Sequence, residues 1–462
     1  MEVGKKTDTI AAIATAIGSS GIGIVRISGS EAIQVADRVF EGKKSEKHLY
    51  DVKSHTIHYG VVKENGVVLD EVLALVMRGP HSYTGEDTVE LDCHGGIYVT
   101  KRILEAVIRA GAEPAEPGEF TKRAFLNGRM DLSQAEAVMD IIHAKNEFAM
   151  RSSVRQLKGS VSDKVRKLRE DILYQVAYVE SALDDPEYVS LDGYGEELRR
   201  ILNPLIVEIR DLIGSADNGR MFSEGIRTVI LGKPNVGKSS LMNVLLGEDR
   251  AIVTDIAGTT RDVLEEQIRL GDMYLRLIDT AGIRDTEDVV EKIGVSRARE
   301  AAENADLILY VADSACGLDE NDEDIIKWIK GRKAVVLLNK SDLKNVVDRV
   351  ELEKRTEHPV VVISAKEKTG MKELEHIMRE LFFQGKFGED DSVVITNVRH
   401  KAALEAALGG LEMVMEGIDN GIPEDFLTID LMDAYGRLGT IIGESVGDDL
   451  IDEIFGRFCT GK

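Results

Sequence analysis

The chain has 462 residues, of which 58 are Lys or Arg and 82 are Asp or Glu, for a formal net charge of −24. That length predicts two to four domains with real cores, and the charge excludes a large charge-driven nucleic-acid surface, so any nucleic-acid work needs a local basic patch or a partner. Three dispersed cysteines, Cys93, Cys316 and Cys459, lack C-x-x-C spacing, which excludes a disulfide framework or a thiolate zinc site and predicts a reducing compartment.

Lys5-Lys6 before Ile10 to Ile17 has the outline of a signal peptide, but Asp8 interrupts it and the glycines of Gly18 to Gly23 break any helix. No apolar run is long enough to span a bilayer, so a cytoplasmic protein without a membrane segment is expected.

In chain order, the pattern predicts a strand over Thr9 to Thr15, a glycine loop, and a strand over Ile24 to Ser28. A helix capped by Ser30 follows, with Ala32, Ile33, Val35, Ala36 and Val39 inward. β-Runs at His55 to Lys63, Val68 to Met77 and Thr88 to Cys93, then a helix over Tyr98 to Ala110, complete an α+β domain, residues 1–118. Ser133-Gln134-Ala135-Glu136 reads as a capping box. Apolar residues at three- and four-residue spacing over Ala137 to His143 and Phe148 to Leu183 predict a helical bundle that stops at Asp184-Asp185-Pro186-Glu187. A helix over Glu196 to Ser215 leads to the next strand; Glu389-Asp390-Asp391 marks a linker, and Ala402 to Gly417 and Leu427 to Ile442 resume the helical pattern. The simplest architecture is one helical domain, residues 119–220 and 388–462, interrupted by an inserted α/β domain, residues 221–387.

The inserted segment carries the chemistry. The strand ending at Leu231, the loop Gly232-Lys233-Pro234-Asn235-Val236-Gly237-Lys238-Ser239 and the helix opening at Ser240 form a phosphate loop. Glycines let backbone N–H groups wrap a phosphate, the helix N-terminus adds positive potential, Lys238 reaches the β/γ oxygens and Ser239 can hold Mg²⁺. Asp279-Thr280-Ala281-Gly282 follows the strand Leu275 to Ile278; Asp279 is expected near Mg²⁺ and the Gly282 N–H near the γ-phosphate. Asn339-Lys340-Ser341-Asp342 reads as the guanine loop, because a carboxylate can accept both N1–H and the 2-amino N–H of guanine. Ser364-Ala365-Lys366 ends the next β-run. In an open α/β sheet such strand ends converge on one ligand, which predicts a Ras-like P-loop GTPase domain that binds GTP. The candidate GTP contacts also include the stretch Thr254-Asp255-Ile256-Ala257-Gly258-Thr259-Thr260, with Thr260 joining Ser239 on Mg²⁺.

Several segments match more than a fold: Asp8 to Thr15, Gly21 to Gly29, Tyr83-Thr84-Gly85-Glu86-Asp87, His94-Gly95-Gly96, Pro117 to Leu132 and the terminal Cys459-Thr460-Gly461-Lys462. Over essentially its whole length the chain resembles the tRNA-modifying GTPases of the MnmE or TrmE family. The resemblance implies a folate-binding-like α+β N-terminal domain that also dimerises. It would hold 5,10-methylenetetrahydrofolate or 5-formyltetrahydrofolate, with Arg26, Glu90, Arg129 and Lys462 as candidate contacts. The family often has Lys where Arg129 stands and an aliphatic residue where Thr460 stands. Cys459 is the candidate thiol of the terminal motif. The resemblance further implies a homodimer, a flavoprotein partner, MnmG, in a heterotetramer-like complex, tRNA bound mainly with or through that partner, and modification of C5 of the wobble uridine. Gly21-Ile22-Gly23-Ile24-Val25-Arg26 lacks the third glycine of a dinucleotide fingerprint, consistent with the flavin belonging to another chain.

Ras-type enzymes orient water with a glutamine after Asp-x-x-Gly, but Ile283 occupies that place. The family resemblance supplies K⁺ instead, held by Asn235 with oxygens from Thr254, Ile256 and Thr259, and a water-orienting glutamate at Glu291. Arg261 and Arg284 are the competing candidates for neutralising charge. A GTPase of ribosome assembly or signalling, whose flanking domains only bind partners, is the alternative that the GTPase motifs alone leave open.

Overall fold

The computed structural model describes residues 8–43, 48–248, 266–271, 273–278, 303, 305–383, 393–444 and 446–461. They fall into two compact units, one built from residues 1–142, 155–196 and 409–462 and the other from 143–154 and 197–408.

The first unit opens with strands β1 (Ile10–Ile13), β2 (Gly23–Ser28), β3 (Phe40–Gly42), β4 (Thr56–Glu64), β5 (Val67–Met77), β6 (Thr88–Cys93) and β7 (Glu113–Pro114). They make one sheet in the order β3-β4-β5-β6-β2-β1-β7. Only β1 with β7 pairs in parallel among the described strands of this sheet. Strand alternation divides β2 and β6 between two faces. Val25, Ile27, Val89 and Leu91 point into a core closed by Ile33 and Val35 of helix Ala32–Val39 and by Ile103 and Val107 of helix Ile97–Arg109. Arg26 and Glu90, in register with each other, lie on the opposite face. Asn65 and Gly66 take φ of 49° and 81° at the β4–β5 hairpin, the left-handed pair that matches the strand twist.

The five inward positions expected on the first helix are all buried. Its cap is not Ser30. Glu31 precedes the helix without a side-chain cap, and the Thr9 hydroxyl accepts from its N–H at 3.0 Å. The second expected cap also moves: the Asp131 carboxylate accepts from Gln134 N at 3.1 Å while Gln134 Oε1 accepts from Asp131 N at 3.0 Å. The reciprocal box is therefore Asp131 with Gln134, and Ser133 donates its hydroxyl to Asp131 at 2.8 Å. Gly159, at φ 100°, divides the expected helical segment into Glu147–Leu157 and Ser160–Asp184. Helix Ser160–Asp184 packs on Glu424–Ile442, where buried Arg169 lies 4.1 Å over the Tyr435 ring and pairs with Glu444. Helices Glu119–Leu126 and Asp448–Gly456 bring Phe125, Phe455 and Phe458 against Leu132, Ala135 and Met139.

The second unit holds β8 (Ile226–Leu231), β9 (Glu266–Leu270), β10 (Met273–Leu277), β11 (Leu307–Asp313), β12 (Ala334–Asn339) and β13 (Val360–Val362). Their order is β13-β12-β11-β8-β10-β9, parallel except for β9 with β10. Runs such as Val335 to Leu338 are buried throughout, as strands covered on both faces require. Separate cores lie on the two faces, one with Leu241 and Leu245 of helix Lys238–Glu248 and Leu374 and Met378 of helix Met371–Phe383, the other with Ile326 and Ile329 of helix Glu320–Ile329 and Leu352 of helix Arg349–Thr356. Helix Tyr194–Glu224 leads into β8, and Arg220 and Arg227 both reach Asp306 at 2.9 Å before β11. Among the described residues no helix is long and apolar enough to cross a membrane.

Candidate functional site

From β8 the chain passes first to β9 and β10 on one side and then to β11, β12 and β13 on the other. The strand order therefore reverses at β8, and the crevice beyond its carboxyl end is the ligand position of such a sheet. The loop Gly232 to Gly237 fills that place, followed by helix Lys238–Glu248. Gly232, Asn235 and Gly237 take φ of 151°, 63° and 99°. A Cβ on Gly232 would overlap the Val311 carbonyl, and one on Gly237 would overlap the Asn339 amide, so both glycines are sterically required. Lys238 donates to the carbonyls of Gly232 and Lys233 at 2.7 and 2.6 Å, folded over its own loop. Burial pulls its ammonium below the ordinary lysine value.

Asn339 ends β12 and is buried. Its Nδ2 donates to Val236 O at 2.8 Å and its Oδ1 accepts from Ala365 N at 3.0 Å, so one side chain ties the phosphate loop to the Ser364 loop. Of the two acceptors of the Asn-Lys-x-Asp loop, Asp342 is the one not spent on joining the phosphate loop to the Ser364 loop. Its Oδ1 accepts from the Ser364 hydroxyl at 2.7 Å, and that bond, with lesser help from Lys366 and Lys340, holds the carboxyl below its usual range against partial burial. Lys340, at φ 65°, is anchored by Asp313 at 2.6 Å. Asp313 carries no motif signature, but its place at the end of β11 could have marked it. The fold thus brings together Asn235, Val236, Gly237, Lys238, Ser239, Ser240, Asn339, Lys340, Asp342, Ser364, Ala365 and Lys366 at the strand ends. Thr254 to Thr260, Arg261, Asp279 to Gly282, Arg284 and Glu291 lie outside the described residues, as does Lys462.

A second site lies on the open face of the N-terminal sheet. Arg26 donates to Glu90 Oε1 at 2.7 Å, and its guanidinium sits 5.3 Å from the Tyr83 ring and 5.6 Å from the Phe120 ring. It also donates to the carbonyl of Gly461 at 3.1 Å. The C-terminal tail is therefore docked. Gly118 N donates to Cys459 O at 3.4 Å, and Gly461, at φ 92°, lies so close to Ile13 that a Cβ would overlap the Ile13 carbonyl. Arg129 Nε donates to Ser82 O at 3.4 Å, while Cys459 is exposed. Asp92, two residues beyond Glu90 on the same face, keeps Oδ1 buried with no hydrogen-bond partner among the described residues. Burial first, and the Glu90 charge second, raise its carboxyl above the ordinary aspartate value. Tyr83 and Phe120 sit inside the quoted motifs, yet only the fold shows them bracketing Arg26.

A family model described as the MnmE helical domain matches residues 132–459, and one described as the GTP-binding protein TrmE N-terminus matches residues 9–129. A tRNA modification GTPase MnmE of Lachnoclostridium phytofermentans is 55% identical over 457 residues, covering 99% of this chain and 100% of its own. The chain belongs to the MnmE family of tRNA modification GTPases. The same name is carried by an Acetivibrio thermocellus relative that is 46% identical over 460 residues, 99% of this chain and 100% of its own. Among solved structures, a point variant of Aquifex aeolicus Era bound to GDP.AlF4- overlaps 40% of this chain and 66% of its own at 30% identity, with a TM-score of 0.27. As an MnmE-family enzyme the chain is a GTP hydrolase of tRNA modification, which removes the ribosome-assembly and signalling alternative.

Proposed function

We propose that this GTPase acts with a flavin-dependent MnmG partner, drawing a one-carbon unit from a reduced folate to build an aminomethyl-type group on C5 of the tRNA wobble uridine. The observation that carries the folate part is Arg26, a cation bracketed by two aromatic rings and held by Glu90, with the C-terminal tail docked against it. A folate suits this set. Its ring can stack on Tyr83 or Phe120, its carboxylates want cations such as Arg129 and Lys462, and its ring N–H groups could satisfy the orphaned Asp92 Oδ1. Bound there, the folate supplies the carbon; the chain's own residues orient it and keep water from its ring. The exposed Cys459 stands beside this site on the docked tail as its candidate thiol.

At the nucleotide site, Ser239 and Asn235 belong to a loop whose glycine cradle fits a phosphate, and Mg²⁺ on Ser239 and Thr260 suits their hydroxyl oxygens. K⁺ held by Asn235, Thr254, Ile256 and Thr259 would neutralise charge developing between the β- and γ-phosphates, and Glu291 would orient the water. The assembly is a cytoplasmic homodimer with three domains, residues 1–118, 119–220 with 388–462, and 221–387.

The direct test is calorimetric titration of the full chain with 5-formyltetrahydrofolate. Saturable binding that Arg26→Met weakens by about tenfold or more, the scale of one charge-assisted bond, is expected. No binding by the wild-type chain would remove the folate from the account while leaving the GTPase assignment intact.

A further inference from the structure

Lys233 occupies the second position of the phosphate loop but turns away from the cradle. Its Nζ lies 2.8 Å from Asp319 Oδ2 and 2.7 Å from Asp322 Oδ2, and its side chain is largely covered. The receiving pocket is built. Asp319 and Asp322 form the reciprocal capping box of helix Glu320–Ile329, and buried Asp322 also accepts from the Tyr310 hydroxyl at 2.7 Å. Burial disfavours the Lys233 ammonium, but bonds to the two carboxylates outweigh it and lift the group above its ordinary value. The pair is thus a charged bond between the loop and the fixed end of a helix.

That bond bears on the nucleotide through the backbone. The Lys233 carbonyl is one of the two that hold Lys238, and Asn339 grips the loop's far half at Val236. A loop with three left-handed residues has many alternative conformations, and its N–H groups bind a diphosphate well only when already aimed at it. Asn339 secures the half nearest the helix. Lys238 bonds the first half only to the loop's own end, whereas Lys233 ties it to a separate element of the domain.

We propose that the clamp of Lys233 on Asp319 and Asp322 is a positioning device for the phosphate loop, setting affinity for the diphosphate shared by GDP and GTP without touching it. The clamp lies in the loop itself, so its effect should appear in nucleotide retention.

The experiment measures release of a fluorescent GDP analogue, the KM and kcat for GTP, and the melting temperature, in Lys233→Met, Lys233→Arg, Asp319→Asn and the double variant of Lys233→Met with Asp319→Asn. Asp319→Asn keeps an oxygen for the helix cap while removing the charge. Lys233→Met should speed release about tenfold, and Asp319→Asn, which leaves the bond to Asp322, by a smaller factor, with KM rising more than kcat falls in both. Lys233→Arg should recover most of the retention, and the double variant should match Lys233→Met alone, since without Lys233 the Asp319 carboxylate has no clamp left to lose. Release at the wild-type rate in Lys233→Met overturns the proposal. So does a lowered melting temperature in Lys233→Met combined with normal release in Asp319→Asn, which would make Lys233 a support of the fold only.

Discussion

Two side chains carry the sharpest tests of the nucleotide site. Asp342 is held ionised beside Ser364, so Asp342→Asn places a donor where guanine presents donors; GTP affinity should fall about 10²- to 10⁴-fold, the worth of two charge-assisted bonds, and xanthosine triphosphate should gain. Competition binding with both nucleotides measures this, and unchanged GTP affinity would sink the assignment of Asp342 to the base. Asn235 adopts φ 63°, where alanine would be strained, so the informative change is Asn235→Gly, which tolerates that backbone while removing the side chain and its oxygen. Hydrolysis in KCl should exceed that in NaCl for the wild-type chain and lose that excess in Asn235→Gly. Equal rates in the two salts for the wild-type chain would return attention to Arg261 and Arg284. The motif already announced Asn339 and Asp342, but only the fold shows that Asn339 is spent joining the phosphate loop to the Ser364 loop, which Asp342 is not.

Helix Leu132–His143 shows which parts of an element a sequence displays. Its apolar spacing was legible because periodicity is set by helix geometry, whereas its cap moved to Asp131 and Gln134 because several polar side chains near the first turn compete for the same N–H groups. Helix Ala32–Val39 carries no side-chain cap, and the N–H of Glu31 before it is taken by the Thr9 hydroxyl, a tertiary contact no local window contains. Asp140 on helix Leu132–His143 was likewise invisible: burial, with repulsion from Glu136, pushes its carboxyl up to about 6. A folded-state value above the unfolded one means the native chain binds this proton more tightly, so the contribution favours folding at low pH and is lost as pH rises from about 4 through 6. Asp140→Asn should therefore raise stability at pH 7 by roughly 1–3 kcal/mol and flatten the profile between those values. Melting curves across that range check it; a variant less stable than wild type at pH 7 would show that the ionised carboxylate is compensated.

Across the whole molecule, the strand runs of the nucleotide-binding unit and the α+β character of the N-terminal domain were readable, since strand runs and turn residues are local signals, whereas the order of the strands in either sheet came only from the fold. The docking of the C-terminus on Arg26 was hinted at only by the terminal motif, because a contact spanning 435 positions leaves no periodicity. Phe455 is almost fully buried, and Gly461 fits where no side chain could, so the tail is held at both ends of its path. Deleting residues 459–462 should leave GTP hydrolysis near the wild-type rate, because the nucleotide site lies wholly in the other compact unit, while ending tRNA modification. The most direct test of the account is nucleoside analysis of tRNA from cells lacking this protein and complemented with the full chain or with the truncated one. C5-aminomethyl-type wobble uridines should vanish in the deletion, return with the full chain and stay absent with the truncated chain. Normal levels of those uridines in the deletion strain would contradict the assignment to wobble-uridine modification, and normal levels with the truncated chain would contradict the role given to the docked tail.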